Sequence, residues 1–226
     1  MDLSGGAVMT DLNGDTTDPV VFVIDDDSAV REAVETLLDS VGLHVVSFDS
    51  AHAFLAASLP DRPSCVVLDV RLKGHSGLAV QEHIVRNMRL PVILMTAHGD
   101  IPMSVQAMKA GALDFLPKPF RGQDMIDAVT HALESDRKRR TSDRSMAILR
   151  ASYDTLTPRE RTIMTMVANG LLNKQIATEL GLSDITVKLH RGQAMKKMKS
   201  PSIADFVLKA EALGLISRDE RLAAQA

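Results

Sequence analysis

The stretch VVFVIDDDSAVR, Val20 to Arg31, sets three consecutive carboxylates, Asp25, Asp26 and Asp27, at the end of a β-branched and aromatic run. Like charges at that spacing repel, and a buried carboxylate is costly unless something positive faces it. The run reads as a buried strand, and the residues after it take up a helical period. The same alternation recurs downstream. HVVSF, CVVLDV, PVILMT and DFLPK are short strands separated by helical stretches such as AVREAVETLLDSVG and GLAVQEHIVRNM. Five such strands predict an α/β domain over residues 19–133, a doubly wound five-stranded parallel sheet covered on both faces.

In such a sheet, ligands sit outside the carboxyl ends of the strands, near the switch in strand order. The strand ends collect Asp25 and Asp26 from the first run, Asp69 from CVVLDV, Thr96 from PVILMT and Lys118 after DFLPK. Asp27 has two readings, a third acid at this mouth or, as is usual for an Asp at a strand end, a helix cap or a solvated turn residue. Oxygen-only donors of this kind suit a hard divalent ion, and Mg²⁺ is the expected guest.

Composition separates the chain further. The net charge of −3 hides an acidic front, net −9 over Met1 to Leu133, and a rear of net +4 over Thr155 to Ala226. An acidic half suits a cation and a basic half suits a polyanion. Residues 1–18 lack a basic start and an apolar core segment, so they read as a disordered tail rather than a leader. No apolar run approaches the ~18 residues that a membrane span needs. The single cysteine, Cys65, permits no internal disulfide. A soluble, cytoplasmic protein with no membrane partner is expected. Residues 134–154 are too charged for core and lack Gly and Pro, so they read as a linker that continues the preceding helix.

Residues 155–226 show no strand pattern and predict an all-α domain. Thr157, Pro158 and Glu160 occupy N-cap, N1 and N3 of a first helix. NKQIATELGLSDITVKLHRGQAMKKM then gives a short helix, a turn at Gly181, and a second helix capped by Ser183, the signature of a helix-turn-helix. On the second helix, Val187, Ala194 and Met198 share an inward face, while Ile185, Lys188, Leu189, Gly192 and Lys196 point away. Lys188, Arg191, Lys196, Lys197 and Lys199 follow Asp184 with no further acid. Lys188 is the expected base-edge contact and Leu189 a thymine-methyl contact. Lys174, Thr186, His190 and Arg191 are expected on phosphates, and Gly192 would allow close approach.

Val20 to about Leu133 resembles the receiver domain of bacterial two-component response regulators, at Asp25, Asp26, Asp69, Thr96 and the Lys118–Pro119 pair. The resemblance implies that Asp69 accepts a phosphoryl group from a sensor histidine kinase. It implies Mg²⁺ on Asp25 or Asp26, Asp69 and the backbone carbonyl of Arg71, and a cis bond before Pro119. Lys118 and Thr96 would contact the phosphoryl group, and Phe115 would be the switching aromatic, although by pattern alone it reads as core. Lys73 stands where many receivers carry proline. Arg71 and His98, two residues beyond Asp69 and Thr96, are expected to tune the lifetime of the acyl phosphate.

The rear segment resembles the LuxR-type DNA-binding domain, which with a receiver implies a regulator of the NarL/FixJ class, not an enzyme beyond its own phosphoryl transfer. Such a protein would dimerise on phosphorylation through a surface including Pro102, Val105, Lys109 and Phe115. It would bind double-stranded promoter DNA through the helix around Asp184 to Met198 and have RNA polymerase as a further partner. A phosphate-independent regulator with a constitutive receiver is the alternative. A flavodoxin-like enzyme is disfavoured because three aspartates would repel a flavin phosphate, and an acyl-homoserine-lactone receptor because it would need a ligand pocket in place of the alternating strand and helix domain with acidic strand ends.

Overall fold

A computed structural model of the chain describes residues 18–72, 75–97 and 101–216. The expected tail up to Thr17, Lys73 and His98 lie outside the described residues. The chain divides into two compact units, Met1–Arg140 and Thr141–Ala226.

In the first unit, strands β1 (Val20–Ile24), β2 (His44–Phe48), β3 (Ser64–Asp69), β6 (Val92–Thr96) and β7 (Asp114–Pro117) form one parallel sheet in the order β2-β1-β3-β6-β7. Two two-residue strands, β4 (Arg71–Leu72) and β5 (His75–Ser76), pair antiparallel beside it. Parallel pairing requires a crossover after each strand, and helices supply it: α1 (Ser28–Asp39), α2 (Ala51–Ala56), α3 (Gly77–His83) with a π-helical turn at Ile84–Met88, and α4 (Ile101–Lys109). The segment expected as one regular helix, GLAVQEHIVRNM, thus changes from α to π at Ile84, and Arg89 closes it in the left-handed region at φ 56°.

Side chains alternate across a strand, so each strand feeds two cores. Phe22, Ile24, Val66, Leu68, Val92 and Leu94 pack with Phe54, Val80, Ile84 and Ala107 on one face. Val21, Val23, Cys65, Val67, Ile93 and Met95 pack with Val34, Leu38, Met125, Val129 and Leu133 on the other. Every residue of β1 is fully buried, which explains why its run is apolar throughout instead of alternating. Cys65 fills a small apolar position, where burial pushes its thiol pKa up.

Helix α5 (Gly122–Asp154) is one continuous helix of 33 residues. Charge made its second half look foreign to any core, yet Asp136 is 1% exposed. Its Oδ2 accepts from the backbone N–H of Ser64 at 3.0 Å, at the start of β3. Arg139 and Arg140 neutralise it, with Arg140 Nε at 2.6 Å, and Arg140 also bonds Asp61. A buried carboxylate persists because a backbone donor and two guanidinium groups satisfy it.

The second unit packs α6 (Pro158–Ala168), α7 (Asn173–Leu180), α8 (Asp184–Lys197) and α9 (Ile203–Ala212) around Ile163, Met164, Ile176, Val187, Ala194 and Phe206. Leu149 and Tyr153, at the end of α5, pack on the same core. The capping box is formed as expected. Thr157 Oγ1 accepts from Glu160 N at 3.3 Å, and Glu160 Oε2 accepts from Thr157 N at 2.8 Å.

Candidate functional site

The carboxyl edge of the sheet gathers its polar residues by strand length. β1 ends at Ile24, so Asp25 emerges at the rim, while Asp69 and Thr96 are the final residues of β3 and β6. Lys118 follows β7, and its backbone N–H donates to Thr96 O at 2.7 Å, which extends the β6–β7 pairing as far as the lysine. The Lys118–Pro119 peptide is cis.

Asp25 is 1% exposed and every part of it is held. Its Oδ1 accepts from Asp27 N at 2.9 Å, its Oδ2 from Lys118 Nζ at 2.6 Å, and its carbonyl from Arg31 Nη1 at 2.6 Å. Lys118 Nζ also reaches Asp69 Oδ1 at 3.2 Å, bridging the two carboxylates. Carboxylate oxygens of Asp25, Asp26 and Asp69 all lie within 4.8 Å of one another. Asp27 accepts from Ala29 N as the cap of α1, which decides between the readings its position allowed. The three consecutive acids therefore divide into two that face the site and one that caps a helix.

Burial and then the charge of Asp25 push the Asp69 carboxyl above its ordinary value, against the opposing pull of Lys118 and the Arg71 backbone N–H. Burial works against the Lys118 ammonium, but its bonds to Asp25 and Asp69 prevail and raise its pKa. Three carboxylates with one ammonium leave the mouth with room for more positive charge, and oxygen-only donors fit a hard cation. The side chain of Arg71 is exposed. Thr96 is fully buried, and Phe115 is half-buried against the core that includes Ala107 and Leu94. On α4, Pro102 and Lys109 are exposed and Val105 is 46% exposed. Met108, which the sequence did not single out, joins them at 48%.

Sequence reasoning missed Gly77. A Cβ there would meet the carbonyl oxygen of Asp69 and the Cα of Val70 at 2.6 Å, so only glycine lets the start of α3 lie against the backbone that carries Asp69. The signal was a lone glycine after HS, and a lone glycine cannot be told from a turn by pattern.

In the second unit, Gly181 closes α7 in the left-handed region at φ 64°, and Ser183 Oγ accepts from Thr186 N at 3.1 Å to start α8. Val187, Ala194 and Met198 are buried, while Lys174, Lys188, Leu189, Gly192 and Lys196 are exposed. Several expected DNA contacts have internal partners here. Lys188 Nζ pairs with Asp184 at 2.8 Å, Thr186 Oγ1 lies 2.8 Å from Ser183 Oγ, and Arg191 Nη1 donates to Asn173 Oδ1 at 2.9 Å. His190 is half-buried, with Nδ1 lacking a hydrogen-bond partner. Lys197 is committed to buried Glu160 at 2.7 Å, a fixed structural pair inside the basic run.

An acid-mouthed, doubly wound sheet joined through a long helix to a helix-turn-helix unit is the architecture of a two-domain signalling regulator. Residues 21–130 match the family described as Response regulator receiver domain, and residues 154–210 match Bacterial regulatory proteins, luxR family. The chain is 52% identical over 201 residues to Nodulation protein W of Bradyrhizobium diazoefficiens, covering 88% of each. It is 41% identical to the Transcriptional regulatory protein FixJ of Azorhizobium caulinodans, over 88% of this chain and 95% of that one. The solved response regulator StyR is similar with a TM-score of 0.77 at 44% identity, over 86% of this chain and 98% of that one. The chain belongs to the response regulators of the NarL/FixJ class, transcription regulators with a receiver domain and a LuxR-type DNA-binding domain. Among the described residues, no helix is long and apolar enough to cross a membrane.

Proposed function

We propose that Asp69 is the phosphoacceptor of a cytoplasmic, Mg²⁺-dependent switch that a sensor histidine kinase sets and promoter DNA reads. The observation that carries this is the Lys118 bridge between Asp25 and Asp69, with Asp26 beside it. A carboxylate oxygen of Asp69 attacks the phosphorus of a phosphohistidine; the P–N bond breaks, its electron pair returns to the imidazole, and an acyl phosphate forms. Asp25, Asp26, Asp69 and the Arg71 carbonyl would hold Mg²⁺, which when bound supplies charge neutralisation for the transferring oxygens.

Lys118 keeps Asp25 and exchanges its Asp69 contact for a phosphoryl oxygen. The Thr96 hydroxyl donates to another oxygen, and Phe115 repacks with it, a shift between two packings biased by the phosphoryl contacts. Arg71 and His98 set the lifetime of the acyl phosphate. Dimerisation uses Pro102, Val105, Lys109 and Phe115, with Met108 adding apolar area. Two copies of α8 then meet successive half-sites about one DNA turn apart, with Lys188 on a base, Leu189 on a thymine methyl, and Lys174, Thr186, His190, Arg191 and Lys196 along the phosphates near Gly192. RNA polymerase is the downstream partner.

Light scattering with Mg²⁺ and beryllium fluoride, on wild type and Asp69→Ala, tests the switch. A monomer that becomes a dimer only in treated wild type is expected. A dimer under every condition would replace the phosphate switch with a constitutive one.

A further inference from the structure

We propose that Ile185 reads bases, and that with Leu189 it forms an apolar ridge on α8 fitted to thymine methyl groups. This rests on the DNA-binding reading above and adds a residue to it. Ile185 is 78% exposed, the most exposed large apolar side chain among the described residues, and Leu189 is 58% exposed. The unit has its own filled core, to which α8 contributes Val187, Ala194 and Met198, so neither residue is needed inside.

Helix propensity does not explain an isoleucine there, since β-branched residues are poorer helix formers than the lysine or glutamate a solvated position usually carries. Residues four apart lie on one face, about one helical turn from each other, which matches methyl groups one or two base steps apart along a major groove. Ile185 is the second residue of α8, and the first turn of the second helix in a helix-turn-helix is the part that approaches base edges.

The surroundings select DNA over a protein partner. Exposed Lys174, Lys188 and Lys196 lie on α7 and α8, and no acid follows Asp184 on α8. A polyanion that also presents methyl groups matches both features, because thymine is the only base that offers a methyl in the major groove.

The test uses the full-length protein and duplexes selected from a randomised library, with each thymine then replaced singly by deoxyuridine. That change removes the methyl group and keeps every hydrogen-bonding edge. In each half-site, two thymines should be found whose replacement weakens binding about threefold to tenfold. In Ile185→Ala one of these penalties should vanish while the other remains, and Leu189→Ala should show the reverse. Both variants should melt as wild type does. The inference is overturned if uridine is tolerated everywhere, or if Ile185→Ala leaves both penalties intact. It is equally overturned if Ile185→Ala weakens all duplexes alike, or leaves DNA binding unchanged while transcription falls, as a protein contact would. If no duplex is selected at all, the DNA-binding reading itself fails, which is a separate result.

Discussion

Asp69, the proposed phosphoacceptor, sits at an electrostatic cost. A carboxyl whose folded pKa exceeds its unfolded value is favoured in its protonated form by folding. Stability is then fullest below the unfolded value, 3.8, and falls as the pH rises through the folded value. At neutral pH the ionised Asp69 therefore destabilises the receiver, and Asp69→Asn should raise its melting temperature. Lys118 loses little, because Asp25 holds it at 2.6 Å. The gain should shrink in acid, and a thermal melt at pH 7 that shows Asp69→Asn below wild type would contradict the argument. Lys188 poses a related question, because its ammonium is clipped to Asp184 in the free protein. If it exchanges that partner for a base edge, Lys188→Ala should cost about 1–3 kcal/mol on a preferred duplex and much less on unrelated DNA, measured by fluorescence anisotropy. Equal losses on both would make Lys188 a phosphate contact.

Two helix attachments decide how the elements hold. Glu160 closes the capping box of α6 and pairs with Lys197 of α8. Burial opposes its charge, but the bonds from Lys197 and Thr157 prevail and hold its carboxyl below the ordinary 4.5. That stability is present above 4.5 and is lost as the pH falls through the lower folded value, so acid should loosen the DNA-binding domain. Glu160→Ala should cost about 2 kcal/mol in urea denaturation, and Glu160→Gln less, because glutamine can still cap. The second attachment is Asp136, which ties α5 to the first residue of β3, the strand that ends in Asp69. Asp136→Ala leaves the buried Ser64 N–H without its acceptor and takes a carboxylate from Arg139 and Arg140, of which Arg140 keeps Asp61, and should cost about 3 kcal/mol. The capping box was legible because it depends on residues three apart. The Asp136 tie was not, because its partner is 72 residues away and the charge pattern around it argued for solvent.

The whole chain carries its cores separately: two clusters sandwich the sheet of the first unit and a third fills the second. Separate cores predict two calorimetric transitions, and Asp136→Ala should lower one while leaving the other in place. A single transition that moves as one with that substitution would mean the two units unfold together.

Strand and helix alternation, the acidic strand ends, the caps at Thr157 and Ser183 and the inward stripe of α8 were all readable from the chain. Each is set by side-chain period or by groups within a turn of one another. What needed the fold was the division of labour within DDD, the close approach that makes Gly77 obligatory, the burial of Asp136, and the commitment of Lys197 to Glu160. All four depend on which distant segments meet. The sequence records that a group is charged or small, but only packing decides whether its neighbour is water, a backbone or an opposite charge.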